Sequence, residues 1–173
     1  MIGAKQDYFR MEIPIVRYAI LVVVLAHIIT TGLHDIAHQQ AGVSISDFQS
    51  AYVFLVTLAA PIAAAIIILF LNKPKIKRGG TWLLLVSMLG SLLFGLVYHV
   101  LLLGSDNIFV VIIHEPLLDS AVFFTSAAIL LVIVDGVGSW VGARATRMVA
   151  KSHILVKAIT VTRIPEVKDE KRV

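Results

Sequence analysis

The sequence predicts an all-α integral membrane protein with four transmembrane helices in an up-down bundle and both termini in the cytoplasm. The first observation behind this prediction is the composition. Hydrophobic residues make up 58% of the 173 residues and charged residues only 15%, whereas about a quarter of a soluble domain is charged. The mean hydropathy of +0.92 is typical of a membrane protein. We therefore explain the net charge of +4 by the placement of basic residues at a membrane, and we expect no nucleic-acid partner.

The second observation is that four apolar stretches are each long enough to cross a bilayer, which takes about 20 residues. The predicted spans cover residues 14–33, 51–71, 82–103 and 117–141. They form a predicted four-helix transmembrane domain over residues 1–142, and residues 143–173 form a predicted basic cytoplasmic tail. The tail section ILVKAITVTRI is rich in β-branched residues, which favours an extended strand.

The third observation is the placement of the basic residues, all of which fall on one side of this four-span arrangement. Three lie before the first span or in its first turn, four lie between the second and third spans, and eight follow the fourth. Since Lys and Arg collect on the cytoplasmic side of a membrane, this segregation predicts a multi-pass plasma-membrane protein whose other two loops face outward.

The predicted outward face is rich in imidazole and carboxylate groups. It carries five of the six histidines, which are His27, His34, His38, His99 and His114. Its carboxylates are Asp35, Asp47, Asp106, Glu115 and Asp119. Because no Lys or Arg lies there to pair with the acids, the pattern indicates a metal site or a proton-handling site.

Helical spacing concentrates the first three histidines on one face of the first span, within about 60°. His34 and His38 lie one turn apart and can share one ion. The predicted metal ligands are His34, Asp35, His38, His114 and Asp119. The second outward loop also makes Asp106 and Glu115 available.

A second, deeper layer is predicted beneath the metal ligands. His27 lies about 10 Å deeper than His34 along a helix, and His99 lies at a similar depth in the third span. We predict that His27 and His99 pair as cofactor-binding residues. Axial ligation of b-type haem by this pair is less favoured, because no second histidine pair exists at the inner side. Asp135 is expected near the cytoplasmic end of the fourth span, where it pairs with Lys or Arg or caps a contact with a partner helix.

The ligand types limit the chemistry of the site. With no cysteine in the chain, imidazole and carboxylate ligands suit copper, with zinc or iron as alternatives. The sequence therefore favours a small subunit of a larger membrane complex, contributing a copper-linked redox or metal-handling site and contacting other membrane subunits and the lipid bilayer. Two alternatives remain open. A scaffold subunit without a site would leave the outward side chains diverging, and a small transporter would need a polar path from Asp135 to the outward cluster.

Overall fold

The computed structural model describes the backbone of residues 2–71, 73–114 and 118–162, and the side chains of residues 15–71, 73–113 and 119–151. Within these ranges the regular structure is entirely helical. The α-helices are α1 (Ile2–Gln40), α2 (Asp47–Tyr52), α3 (Ala60–Phe70), α4 (Pro74–Leu96), α5 (Ile108–His114) and α6 (Leu118–Thr162). Two π-helical segments, Val53–Ala59 and Val97–Leu101, continue α2 into α3 and extend α4.

Four helical units are long and apolar enough to cross a membrane, which confirms the predicted all-helical architecture with four candidate spans. They cover Ile15–Gln40, Asp47–Phe70, Pro74–Leu101 and Asp119–Lys151. The helices run past the predicted span ends because a helix, once nucleated, continues through polar residues at little cost. For the same reason the predicted strand in the tail is wrong over residues 154–162, which continue α6. The predicted tail from residue 163 onward lies outside the described residues.

Successive spans run in opposite directions, so the bundle has two chemically different ends. We call the end that carries Arg17, Arg78 and Arg144 the basic end, and the end that carries His38 and Asp106 the histidine end. Helix α6 packs against both α1 and α4, and α4 also packs against α3. The guanidinium of Arg17 donates a hydrogen bond to the carbonyl of Leu69, which joins α1 to α3 at the basic end.

The half of the bundle toward the basic end is packed with apolar side chains and close helix contacts. Its buried core contains Ile20, Val23, Val24, Ala64, Ala65, Ile68, Leu84, Met88, Val141 and Ala145. A Cβ placed on Gly142 of α6 would lie 2.9 Å from the Cα of Leu85. Glycine therefore lets the α4 and α6 backbones approach closely, as small residues commonly do between membrane helices.

The half toward the histidine end has an irregular backbone. The segment Val53–Ala59 is π-helical and lies just before Pro61. Proline has no amide hydrogen, so the carbonyl of Thr57, four residues earlier, loses its usual helical donor. In the second π-helical segment, Val97–Leu101, His99 is buried. Such segments recur at functional sites, and both of these carry residues of the site described next.

Candidate metal centre

Two of the site's histidines come from the last turns of α1. His34 and His38 are one turn apart and buried, which the i, i+4 spacing predicts for a face turned into the bundle. The helix ends just beyond them at Gly42, whose φ of 63° lies in the left-handed region that glycine adopts readily. The amide of Val43 donates a 3.0 Å hydrogen bond to the carbonyl of His38. This termination fixes the turn that carries His38.

The remaining two side chains, His99 and Asp106, come from the end of the third span and its loop. Asn107, which is fully buried, holds this loop in place. Its side-chain nitrogen donates to the carbonyls of Val100 (3.1 Å) and Leu102 (2.9 Å), and its side-chain oxygen accepts from the backbone amide of Phe109 (2.9 Å). The loop thereby folds back and places Asp106 beside His99.

The four side chains converge on one point. The Nε2 of His34 lies 3.0 Å from the Nε2 of His99 and 3.1 Å from the Nε2 of His38. The Asp106 Oδ1 lies 3.1 Å from the Nε2 of His38 and 3.1 Å from the Nδ1 of His99. One candidate ligand atom from each residue falls within 4.8 Å of all the others, and all four residues are buried. We call this set the His3Asp cluster.

Burial opposes the ionised form of Asp106 and raises its pKa. The adjoining His38 and His99 rings outweigh that effect and lower the pKa of the Asp106 carboxyl to about 2. Asp106 is therefore a carboxylate at neutral pH, and it brings one negative charge to the cluster.

Hydrogen bonding among neutral rings does not satisfy this arrangement. His99 Nδ1 must carry a hydrogen, because it lies 2.9 Å from the backbone carbonyl of Asp106, which only accepts. A neutral His99 then presents a lone pair on Nε2, which requires a hydrogen on His34 Nε2. The His38 Nε2 contacts both this N–H of His34 and the carboxylate of Asp106. If it carries a hydrogen, that hydrogen meets the N–H of His34; if it does not, its lone pair meets the carboxylate. One of the two contacts is therefore always repulsive. Added positive charge removes the conflict, either as one more proton, which makes His99 an imidazolium, or as a metal cation at the centre.

The spacing also suits metal ligation. Two ligand nitrogens at about 2.1 Å from one metal ion are separated by about 3.0 Å at right angles and by about 3.4 Å at the tetrahedral angle. The His34 Nε2 lies 3.0 Å from that of His99 and 3.1 Å from that of His38. Phe124 of α6, which is fully buried, packs against the rings of His34, His38 and His99 at centroid distances of 5.4, 5.1 and 5.9 Å. This ring forms an apolar wall that limits the orientations of the three imidazoles.

Of the residues predicted as metal ligands, the structure brings His34 and His38 into the cluster. Asp35 is exposed, accepts a 3.1 Å hydrogen bond from Gln39 and lines the cavity beside the cluster, but it is not one of the four clustered residues. Asp119 is exposed and is not part of the cluster. The side chain of His114, and Glu115 as a whole, lie outside the described residues.

His27 and His99, which are predicted to pair, contact different residues in the structure. His99 belongs to the His3Asp cluster, whereas the Nδ1 of His27 lies 2.7 Å from the Oδ1 of Asp135. The expectation that Asp135 pairs with Lys or Arg is wrong, because its partner is His27. Asp135 is sixteen positions from each end of the candidate span Asp119–Lys151, so it lies midway along that helix.

Asp106 is the cluster residue that the predicted ligand set missed, although the sequence places it in the same loop as other candidates. Between His99 and Asp106 the helix ends and a tight loop follows. Helical periodicity therefore cannot predict that the two side chains lie close together. The neighbouring Asn107, a residue type that commonly caps helices, is the local signal for the loop conformation that brings Asp106 inward.

A cavity of about 510 Å³ opens beside the cluster, between α1, the first π-helical segment and α4. At one end it is lined by the cluster residues, including His34 and Asp106, and at the other end by Thr57 and Ser91. The cluster is therefore accessible from a space large enough for a small molecule or several waters.

Comparisons with known proteins add no assignment to this geometry. No family model matches the sequence, and neither a curated protein nor a solved structure is similar to the chain.

Proposed function

We propose that this protein binds a divalent transition-metal ion through His34, His38, His99 and Asp106. The observation that supports the proposal is the convergence of three imidazole nitrogens and one carboxylate oxygen at contact distances that protons on neutral rings do not satisfy. A scaffold without a site would have no need for this convergence, since buried polar groups without suitable partners destabilise a fold.

Copper is the first candidate for the metal. Three imidazoles and one carboxylate form a nitrogen-dominated set, which favours copper or zinc over magnesium and calcium. Among first-row divalent ions, affinity for such a set is highest for copper. Zinc is the second candidate, because a four-ligand set of this type also suits its tetrahedral geometry. Iron is the third.

The metal ion would serve copper-linked redox chemistry or metal handling at the outward side of the membrane, in a small subunit of a larger membrane complex. The segregation of Lys and Arg supports this orientation by the positive-inside rule. The complex is supported by the small size of the bundle and by the many apolar side chains on its surface, such as Phe54, Phe70 and Trp140. These faces are available to lipid and to partner helices alike.

Two of the alternatives fit the structure less well. Axial ligation of haem by His27 and His99 needs a free ring nitrogen on each, but His27 contacts Asp135 and Thr57 with its two nitrogens, and His99 contacts Asp106 and His34. A transporter needs a polar path to both ends of the bundle, and the half toward the basic end is an apolar core.

The decisive experiment measures the metal content of the full chain after gentle purification in detergent. Elemental analysis compares the unmodified protein with the double variant His34→Ala/His38→Ala, before and after loading with Cu²⁺, Zn²⁺ or Fe²⁺ and removal of free ion. Asp35→Asn is the matched control, because Asp35 lies between the two histidines in sequence but is exposed and is not one of the four clustered residues. We expect about one metal ion per chain in the unmodified protein and in Asp35→Asn, and none in the double variant.

Two results would overturn the proposal. One is negligible binding of all three ions by the unmodified protein after loading. The other is equal binding by the unmodified protein and the double variant, which would place the metal elsewhere.

The orientation has its own test, which the lack of cysteine makes simple. Single cysteines introduced as Ser105→Cys at the histidine end and Lys75→Cys at the basic end are exposed to a membrane-impermeant maleimide in intact cells. We expect labelling at position 105 alone, and labelling at position 75 alone would reverse the orientation. Membership of a complex predicts a native mass well above that of the monomer in mild detergent, and a purely monomeric protein would contradict it.

A further inference from the structure

A second buried polar site lies at mid-depth in the bundle and is distinct from the His3Asp cluster. It consists of His27 on α1 and Asp135 on α6, whose side chains are 0% and 1% exposed. The His27 Nδ1 lies 2.7 Å from the Asp135 Oδ1, and the hydroxyl of Ser91 on α4 donates a 2.7 Å hydrogen bond to the Asp135 Oδ2. Three helices thus meet at one acid–base pair within the membrane-spanning region.

The backbone of the second span determines which nitrogen of His27 carries a hydrogen. The carbonyl of Thr57 lacks its usual helical donor because Pro61 has no amide hydrogen. The His27 Nε2 lies in hydrogen-bond contact with this carbonyl, which only accepts, so the Nε2 carries a hydrogen. A kinked helix thereby orients the ring and turns its Nδ1 toward Asp135.

The contact between His27 and Asp135 must then contain a further proton. Without it, the lone pair of Nδ1 would face a carboxylate oxygen at 2.7 Å. With it, the pair is either imidazolium and carboxylate or imidazole and carboxylic acid, and in both forms the net charge is zero. Losing this proton leaves one negative charge buried in the membrane region, which is costly. The pair therefore binds one proton as a unit.

A cavity joins the pair to the histidine end. The cavity beside the His3Asp cluster extends to Thr57 and Ser91, which are the hydrogen-bonding partners of the pair. The buried hydroxyls of Thr31 and Thr57, which also line the cavity, make no hydrogen bond to the described residues. A space of about 510 Å³ with unpartnered polar groups is one that water occupies.

On the other side of the pair, the same helices place apolar side chains one turn closer to the basic end. Val24 precedes His27 on α1 and Met88 precedes Ser91 on α4, and both belong to the buried apolar core. Two buried hydroxyls also lie on this side: that of Ser87 donates to the Leu84 carbonyl, and that of Ser139 makes no hydrogen bond to the described residues. The elements packed around the pair contribute only the Ser91 hydroxyl and the Thr57 carbonyl as described polar partners. The titratable groups at the far end of the cavity are His34, Asp35, His38, His99 and Asp106.

We propose that the His27–Asp135 pair is a proton-binding site inside the membrane, which exchanges its proton with the histidine end through the cavity. The site takes one proton from cavity water and returns it there, so the step needs no other reactant. Positive charge added at the far end of the cavity favours release of the proton, since it stabilises the negative charge left behind. The proposal rests on the pair and the cavity and does not require a metal ion in the His3Asp cluster.

The test follows the ring hydrogens of His27 by NMR in the full chain, labelled with ¹⁵N-histidine and embedded in lipid nanodiscs. The His27 signals are assigned by their loss in His27→Gln. We expect His27 to be hydrogen-bonded at both nitrogens, with exchange into D2O complete within minutes. Gly95→Leu, which fills the cavity between Ser91 and His99, should slow the exchange at least about tenfold.

Two further variants make the result specific. Gly136→Leu is the matched control, because it neighbours Asp135 in sequence but has open space around its Cα, so exchange should match the unmodified protein. Asp135→Asn should remove the shared proton and leave His27 as a neutral ring with a lone pair on Nδ1, seen in its ¹⁵N shift. Exchange that takes many hours in the unmodified protein would make the pair a sealed structural contact and overturn the proposal. Fast exchange that Gly95→Leu leaves unchanged would also overturn it, because the cavity would then not be the route.

Discussion

The two halves of the bundle are built by different means. Toward the basic end, regular helices pack through an apolar core and through glycine contacts such as that of Gly142 with Leu85. Toward the histidine end, two π-helical segments, a proline and buried polar side chains surround a cavity. The contrast indicates that shape holds the first half together, whereas specific hydrogen bonds and charges hold the second. Irregular backbone at membrane depth is tolerated where other groups satisfy it, as His27 does for Thr57.

The largest effect is expected from a change of shape in the half toward the basic end. Gly142→Leu places a side chain against the backbone of Leu85, where even a Cβ would lie 2.9 Å from the Cα. We expect a loss of about 3 kcal/mol or more in stability, since the clash is with backbone that cannot rotate away. The measurement is the thermal midpoint in detergent. Gly136→Leu, which has open space around it, should change the midpoint little, and equal losses in both variants would contradict the role of shape.

The sequence predicts the half toward the basic end better than the half toward the histidine end. Hydropathy is enough to predict four spans, and spacing is enough to bring His34 and His38 together, because both depend on regular helix geometry. The partners of His27 and His99 depend on features that periodicity does not contain. The length of α6 puts Asp135 at mid-depth, Pro61 frees the carbonyl that orients His27, and the loop held by Asn107 brings Asp106 to His99.

The second prediction concerns pH and the half toward the histidine end alone. Metal ligation requires neutral imidazoles, whose ordinary pKa is about 6.5, whereas the pKa of Asp106 is lowered to about 2. As the pH falls from 7.5 toward 3, protons compete with the bound ion for the imidazole nitrogens, so we expect the ion to be released while Asp106 is still ionised. The measurement is metal retained after dialysis, with helicity followed by circular dichroism. Release only below about pH 3 would instead follow the carboxylate and contradict a histidine-dominated site.

The third prediction tests the contribution of the carboxylate itself. Asp106→Asn keeps the size of the side chain but removes its negative charge, so metal affinity should fall about 100-fold or more while the fold is retained. Competition with a chelator of known affinity measures the change. Asp119→Asn is the matched control, because this carboxylate is exposed and lies outside the cluster. A similar affinity for both variants would remove Asp106 from the ligand set.

The smallest effect is expected where a helix cap meets the cluster. Ser46 caps α2 through a reciprocal pair of contacts with Gln49: its hydroxyl accepts from the Gln49 amide, and its own amide donates to the Gln49 side chain at 2.8 Å. The side-chain nitrogen of the same Gln49 lies 3.4 Å from the Asp106 Oδ2. The cap therefore orients a residue that restrains the carboxylate, so local helix chemistry at the histidine end acts on the site.

Ser46→Ala should accordingly lower stability by about 1 kcal/mol, as the loss of a helix cap usually does, and weaken metal binding several-fold. Ser44→Ala, in the same exposed loop but outside the cap, should leave both quantities unchanged. A loss of stability without any change in affinity would mean that Gln49 holds the helix but not the carboxylate. The apolar half has no counterpart to this coupling, because displacing a methyl group there changes packing without redirecting a charge.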